Sequence, residues 1–114
     1  MADNLLKWLG DLAESDRTPQ PERILCAALY IDDEYKYQHQ PKNVERGLVI
    51  CARRHHNAIV LAAAMFPERR DIDRDQGFIT SLDRYVQRAE AARIAFAAGQ
   101  IEAPTDILFS EDLY

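Results

Sequence analysis

The stretch "ICARRHHNAIVLAAAMF", Ile50 to Phe66, decides how this chain is read. A short apolar run with β-branched members, Leu48 to Ala52, reads as a strand. An alanine-rich apolar run, Ala58 to Phe66, reads as a helix buried on most sides. Asn57 is placed to cap that helix and Pro67 to stop it. Between the two runs stand Arg53, Arg54, His55 and His56, four side chains that carry or can carry positive charge.

Upstream, "RILCAALYI" (Arg23–Ile31) has the continuous apolar character of a buried strand. "DDE" reads as a turn, and "YKYQH" (Tyr35–His39) alternates aromatic and polar residues like a half-exposed second strand, which would make a hairpin. "QPKNVERG" is a loop. Downstream, "PERRDIDRDQ" is a charged loop and "GFIT-SLD-RYV" a small hairpin. "QRAEAARIAFAAG" reads as a helix that ends at Gly99 and turns Ala91, Ile94, Ala95 and Ala98 to one face. The tail carries Ile107, Leu108, Phe109, Leu113 and Tyr114, enough apolar surface to dock on the body. At the other end, Leu5, Leu6, Trp8, Leu9 and Leu12 recur at helical spacing from Asp3 to Glu14, and "RTPQP" links that amphipathic helix to the rest. The expected organisation is residues 1–16 as an N-terminal helical extension and residues 17–114 as one α+β ligand-binding domain. Grouped strands followed by helices predict a small antiparallel or mixed sheet with a central buried helix and a C-terminal helix. The small core and apolar ends predict a homo-oligomer, a homodimer or larger.

The 114 residues can bury one hydrophobic core, and 47% apolar with 29% charged residues is ordinary for a globular domain. Nineteen acidic against fourteen basic residues give a formal charge of −5. That balance argues against binding genomic DNA, which needs a broad basic surface, yet leaves room for one small anion held by converging groups. No apolar run has membrane-spanning length and no signal peptide is evident, so a cytoplasmic protein is expected. Cys26 and Cys51 each sit in an apolar run and read as reduced core residues, with a disulfide between neighbouring strands as the alternative.

A strand running into a helix leaves the first helical N–H groups unpaired, and the helix dipole adds positive potential there. Arg53, Arg54, His55, His56 and Asn57 lie at that junction, so the expected guest is a phosphate or a phosphorylated nucleotide. A second candidate is "QGFITSLDRYVQR". There Gly77 permits close backbone approach, Phe78 offers a ring to stack on a base, Thr80 offers a hydroxyl, and Arg84 and Arg88 offer charge. Ser110 in the tail is placed to help close such a pocket. The alternative is that these groups serve the core and its ion pairs. Adjacent histidines on a helix point about 100° apart and rarely share a metal, and no ligand motif accompanies them, so neither a metal nor a cofactor is expected. No activated nucleophile is evident.

"RRHHN", "QGFITSLDRYVQRAEAARIAFAAGQI" and the terminal "SEDLY" together resemble the phage Thoeris anti-defence (type 1) sponge family over about the last two thirds of the chain. The resemblance implies a compact α+β protomer assembled as a dimer or a trimer of dimers. It also implies a protein that binds cyclic ADP-ribose isomers, and in some members cyclic oligonucleotides, without cleaving them. By this resemblance Arg53 matches an arginine at the ligand and Phe78 the ring that stacks on adenine, and Thr80, Arg84 and Arg88 fall in the same motif. Two features depart from it: the leading helix is an extension, and Gln87 stands where an Asp cap would be expected. Two other functions fit the residues. One is a small phosphodiesterase or nucleotide hydrolase using His55 or His56 as general acid or base. The other is a protein-binding inhibitor acting through the N-terminal helix.

Overall fold

The apolar run around Ala27 forms strand β1 (Ile24–Ile31), and its neighbours explain the run. Ala27, Ala28 and Leu29 are fully buried, so both faces of this strand must be covered and both its edges paired. In the computed structural model, which describes residues 21–114, β1 lies between β2 (Leu48–Ala52) and β3 (Gln76–Thr80). A short β4 (Tyr85–Gln87) completes a four-stranded sheet of order β2-β1-β3-β4. All three pairings are antiparallel, so of the two sheet types expected the antiparallel one is found. The register sets Ala27 between Ala52 and Phe78, and Leu29 between Ile50 and Gln76. The expected N-terminal helix lies outside the described residues.

Side chains alternate across a strand, so Ala27, Leu29 and Ile31 share one face. Helix α1 (His55–Met65) covers its β1–β2 half through Ala58 and Ala62, against Leu29, Ile31 and Ile50. Helix α2 (Arg88–Ala97) covers the other half through Ala91, Ala92 and Ala95, against Ile24, Phe78 and Val86. The architecture is therefore α+β, with two helices packed side by side on one antiparallel sheet. Alanine at these positions brings each helix close to the strands, because nothing longer stands between the backbones. The last stretch closes the α2 end of the core with Leu108, which is fully buried, before a 3-10 turn at Ser110–Asp112.

Several expectations are corrected. Tyr35–His39 is a loop, not a strand. Asp32 and Asp33 accept hydrogen bonds through Oδ1 from the backbone N–H of Glu34 (3.1 Å) and Tyr35 (3.0 Å). Glu34 takes a left-handed φ of 65°. These local bonds give the backbone an alternative to a ladder. Helix α1 starts three residues before Ala58, with Arg54 as its N-cap, so Asn57 lies inside the first turn and does not cap it. Nor is α1 buried on most sides: Val60, Leu61 and Met65 are about half exposed. The period that turns Ala58 and Ala62 inward turns those three outward. The cysteines are not core residues either. Cys26 is half buried and Cys51 exposed, both free, on the sheet face opposite the helices.

That opposite face is overlaid by the loop between β1 and β2. Asn43 holds it down by donating from Nδ2 to the Tyr85 carbonyl (2.6 Å) and accepting the Tyr85 N–H at Oδ1 (2.8 Å). Tyr30 adds a bond from its hydroxyl to the Arg46 carbonyl (2.7 Å).

Candidate functional site

The junction between β2 and α1 divides the basic cluster, because successive helical residues point in different directions. His55 turns inward. Its ring is 7% exposed, lies edge-on to Phe78 at 4.9 Å, and places Nε2 2.7 Å from the Gly77 carbonyl oxygen. A carbonyl can only accept, so Nε2 carries the proton. Burial pulls the imidazole below its ordinary pKa, and the charge of nearby Arg88 adds to that, while the Gly77 bond and Glu111 act the other way. His56 and Asn57 face solvent.

Arg53 and Arg54 meet the end of the described chain instead. The Arg54 guanidinium lies 5.0 Å from the centre of the Tyr114 ring and donates from Nη2 to the Tyr114 backbone oxygen. Arg53 lies 5.9 Å from the same ring, and the Tyr114 hydroxyl donates to the Arg53 carbonyl at 2.6 Å. The other terminal nitrogen of Arg54, Nη1, is buried and has no hydrogen-bond partner among the described residues. A guanidinium donor without a partner is costly when buried, so this atom marks a place where an acceptor is wanted. Beside it, α1 has neither a capping side chain nor an acidic residue in its first turn. Its leading amides and dipole therefore face the same direction as the two arginines.

Arg88, at the start of α2, joins this region from the other side. It donates from Nη1 to the Leu108 carbonyl (3.1 Å) and from Nη2 to Gln76 Oε1 (2.7 Å), and its guanidinium lies 4.8 Å from the Phe109 ring centre. Its electrostatic interaction with His55, and that of Glu111 with both, ties the two halves together. Arg54 and Arg88 thus both bond the segment Leu108–Tyr114, which brings Glu111 into the same region, so two arginines face one carboxylate in this niche. A cleft of about 380 Å³ lined by Arg74, Asp75, Gln76, Arg88 and Ile107 shares Arg88 with it.

The remaining candidates lie elsewhere. Phe78 is fully buried in the α2 core, so its ring is not free to stack on a ligand. Gly77 does permit close approach, but what approaches is the Val86 carbonyl oxygen and, behind it, the Tyr85 ring, 2.7 Å from where a Cβ would stand. Thr80 and Arg84 belong to a different cluster: the Thr80 hydroxyl donates to Glu22 Oε2 (2.6 Å), and Arg84 forms a two-pronged pair with Glu22 and a third bond to Glu90. Ser110 is buried at the 3-10 turn, and its carbonyl accepts the Leu113 N–H. The sequence reading missed Phe109 and Tyr114 as site residues. Both were assigned to docking by their apolar character. The available signal was that each is an aromatic in the same tail as Ser110.

The largest groove, about 890 Å³, lies on the side of the sheet bearing Tyr30 and Tyr85. Its charges are mixed: Glu45, Asp75 and Glu90 with Arg46 and Arg93, and Arg46 is already paired with Asp32. Volume favours that groove, but the buried donor of Arg54, without a partner among the described residues, favours the niche for an anion. Among the described residues no three His, Cys, Asp or Glu side chains are placed to hold a metal ion, and no helix is long and apolar enough to cross a membrane. A family model described as "Phage T4 y16D protein" matches residues 23–114. No curated protein and no solved structure matches the chain.

Proposed function

The chain belongs to the phage T4 y16D protein family, and on that premise we propose that it binds a small phosphate-bearing signalling nucleotide and holds it without cleaving it. The observation that carries this reading is the buried Arg54 Nη1, with no partner among the described residues, set beside the uncapped start of α1. A phosphate oxygen there would satisfy the donor and the leading amides together. Arg88 supplies the second charge, and Phe109 and Tyr114, both exposed and already stacked on guanidinium groups, supply faces for a base. Phe78 has no direct role in this version of the site.

Sequestration is preferred to hydrolysis because His55 has its Nε2 proton on the Gly77 carbonyl and is buried, so it is poorly placed to exchange protons with a ligand. The resemblance to anti-defence sponges supplies the ligand class, a cyclic ADP-ribose isomer or a cyclic oligonucleotide. It also supplies the setting, immune evasion by a homo-oligomer in the host cytoplasm.

Titration calorimetry against a panel of cyclic ADP-ribose isomers and cyclic dinucleotides tests this. One ligand should bind with its affinity reduced about 10- to 100-fold in Arg54→Ala, the loss of a charge-assisted hydrogen bond, and little changed in Phe78→Leu. The ligand should be recovered intact after denaturation. Degraded ligand would establish a hydrolase, and equal binding by Arg54→Ala would remove the niche from consideration.

A further inference from the structure

Cys26 and Cys51 are the only cysteines in the chain. The strand register sets Cys51 opposite Ala28 and Ala52 opposite Ala27. Cys26 and Cys51 therefore sit diagonally across β1 and β2, on the sheet face away from the helices. Both thiols are free. Cys51 is exposed and lines a cleft of about 360 Å³ with His39, Pro41, Val49 and Ile79, and Cys26 beside it is only half buried. We propose that Cys26 and Cys51 form a site of reversible oxidation, in which a hydroperoxide converts the facing thiols into a disulfide between β1 and β2.

The chemistry balances in two steps. The Cys26 thiolate attacks one peroxide oxygen, the O–O bond breaks, and the leaving oxygen takes a proton from solvent, which leaves a sulfenic acid. The Cys51 sulfur then attacks the Cys26 sulfur, the S–O bond breaks, water departs with the Cys51 proton, and the disulfide remains. Two thiols are oxidised and one peroxide is reduced. Cys26 is assigned as the first nucleophile because its neighbour Cys51 lowers its pKa to about 7. The same contact and burial push Cys51 up. The disulfide would fasten β2 to β1 two residues before Arg53, so oxidation acts on the backbone that presents Arg53 and Arg54.

The test is brief treatment of the full chain with stoichiometric hydrogen peroxide, followed by intact mass, thiol titration and non-reducing peptide mapping. The expected product is monomeric by covalent mass, lighter by two hydrogens, with both thiols lost, a single Cys26–Cys51 crosslink, and full recovery in dithiothreitol. Cys51→Ser should stop at a sulfenic acid on Cys26 that dimedone traps, while its circular dichroism shows it folded. Two titratable thiols after treatment, crosslinks only between chains, or separate sulfinic acids would each overturn the proposal. None of these readouts depends on nucleotide binding, so the two readings fail independently.

Discussion

His55 shows how one side chain can be chemically conspicuous in the sequence and structural in the fold. Its Nε2 is fixed to the Gly77 carbonyl, and its ring fills the space against Phe78. Burial lowers its folded pKa, so the unfolded chain binds the proton more tightly. The sign follows from linkage. Stability from this group is complete above the unfolded imidazole value, about 6.5, and is lost as the pH falls towards the folded value. Urea unfolding should show the protein losing stability across that window, by at most about 1.4 kcal/mol per pH unit for this one proton. His55→Gln, which keeps a donor for Gly77 but does not titrate, should lose little there. A loss of the same size in His55→Gln would assign the effect to other groups. Glu22, held below the usual carboxylate range by its hydrogen bonds from Arg84, contributes only at lower pH.

At the scale of elements, the hairpin of β3 and β4 was legible because "SLD" is a turn between two apolar runs. The turn is a three-residue loop in which Asp83 donates its N–H to the Thr80 carbonyl (3.0 Å) and takes a left-handed φ of 59°. That conformation is strained for a residue with a Cβ and free for glycine. The Asp83 carboxylate makes no hydrogen bond among the described residues, so Asp83→Gly gives up nothing visible. It should raise unfolding stability by roughly 0.5–1 kcal/mol, read from urea midpoints, and an unchanged or lower midpoint would show that the turn is not strained. The same physics explains the failure at Tyr35–His39. Alternation of aromatic and polar residues predicted a strand, but the aspartates ahead of it bond to their own backbone and hold a loop. The start of α1 was misjudged for a related reason. Alanine richness locates a helix body, whereas its first turn is set by Arg54 at the chain's exit from β2, a matter of tertiary geometry.

Considered as a whole molecule, the protein is an acidic chain with a local basic niche at one end and an uncharged helix face at its side. Val60, Leu61 and Met65 on α1 are each about half exposed, and no basic residue lies in the last turn of that helix. This is the face we propose for contact between copies in the homo-oligomer. Sedimentation velocity should give a dimer or larger for the protein and a monomer for Leu61→Glu with unchanged circular dichroism, whereas a monomeric parent would end that part of the reading. The sequence by itself determined the α+β class, the buried β1, both described helices and the apolar docking of Leu108, because each is written in local periodicity and composition. Only the tertiary structure decided which charged groups meet. Arg84 and Arg88 are four residues apart, yet one is held by Glu22 and Glu90 and the other reaches the niche beside His55. Helical phase and strand register bring residues together from distant parts of the chain, and neither is encoded in the spacing of the residues themselves.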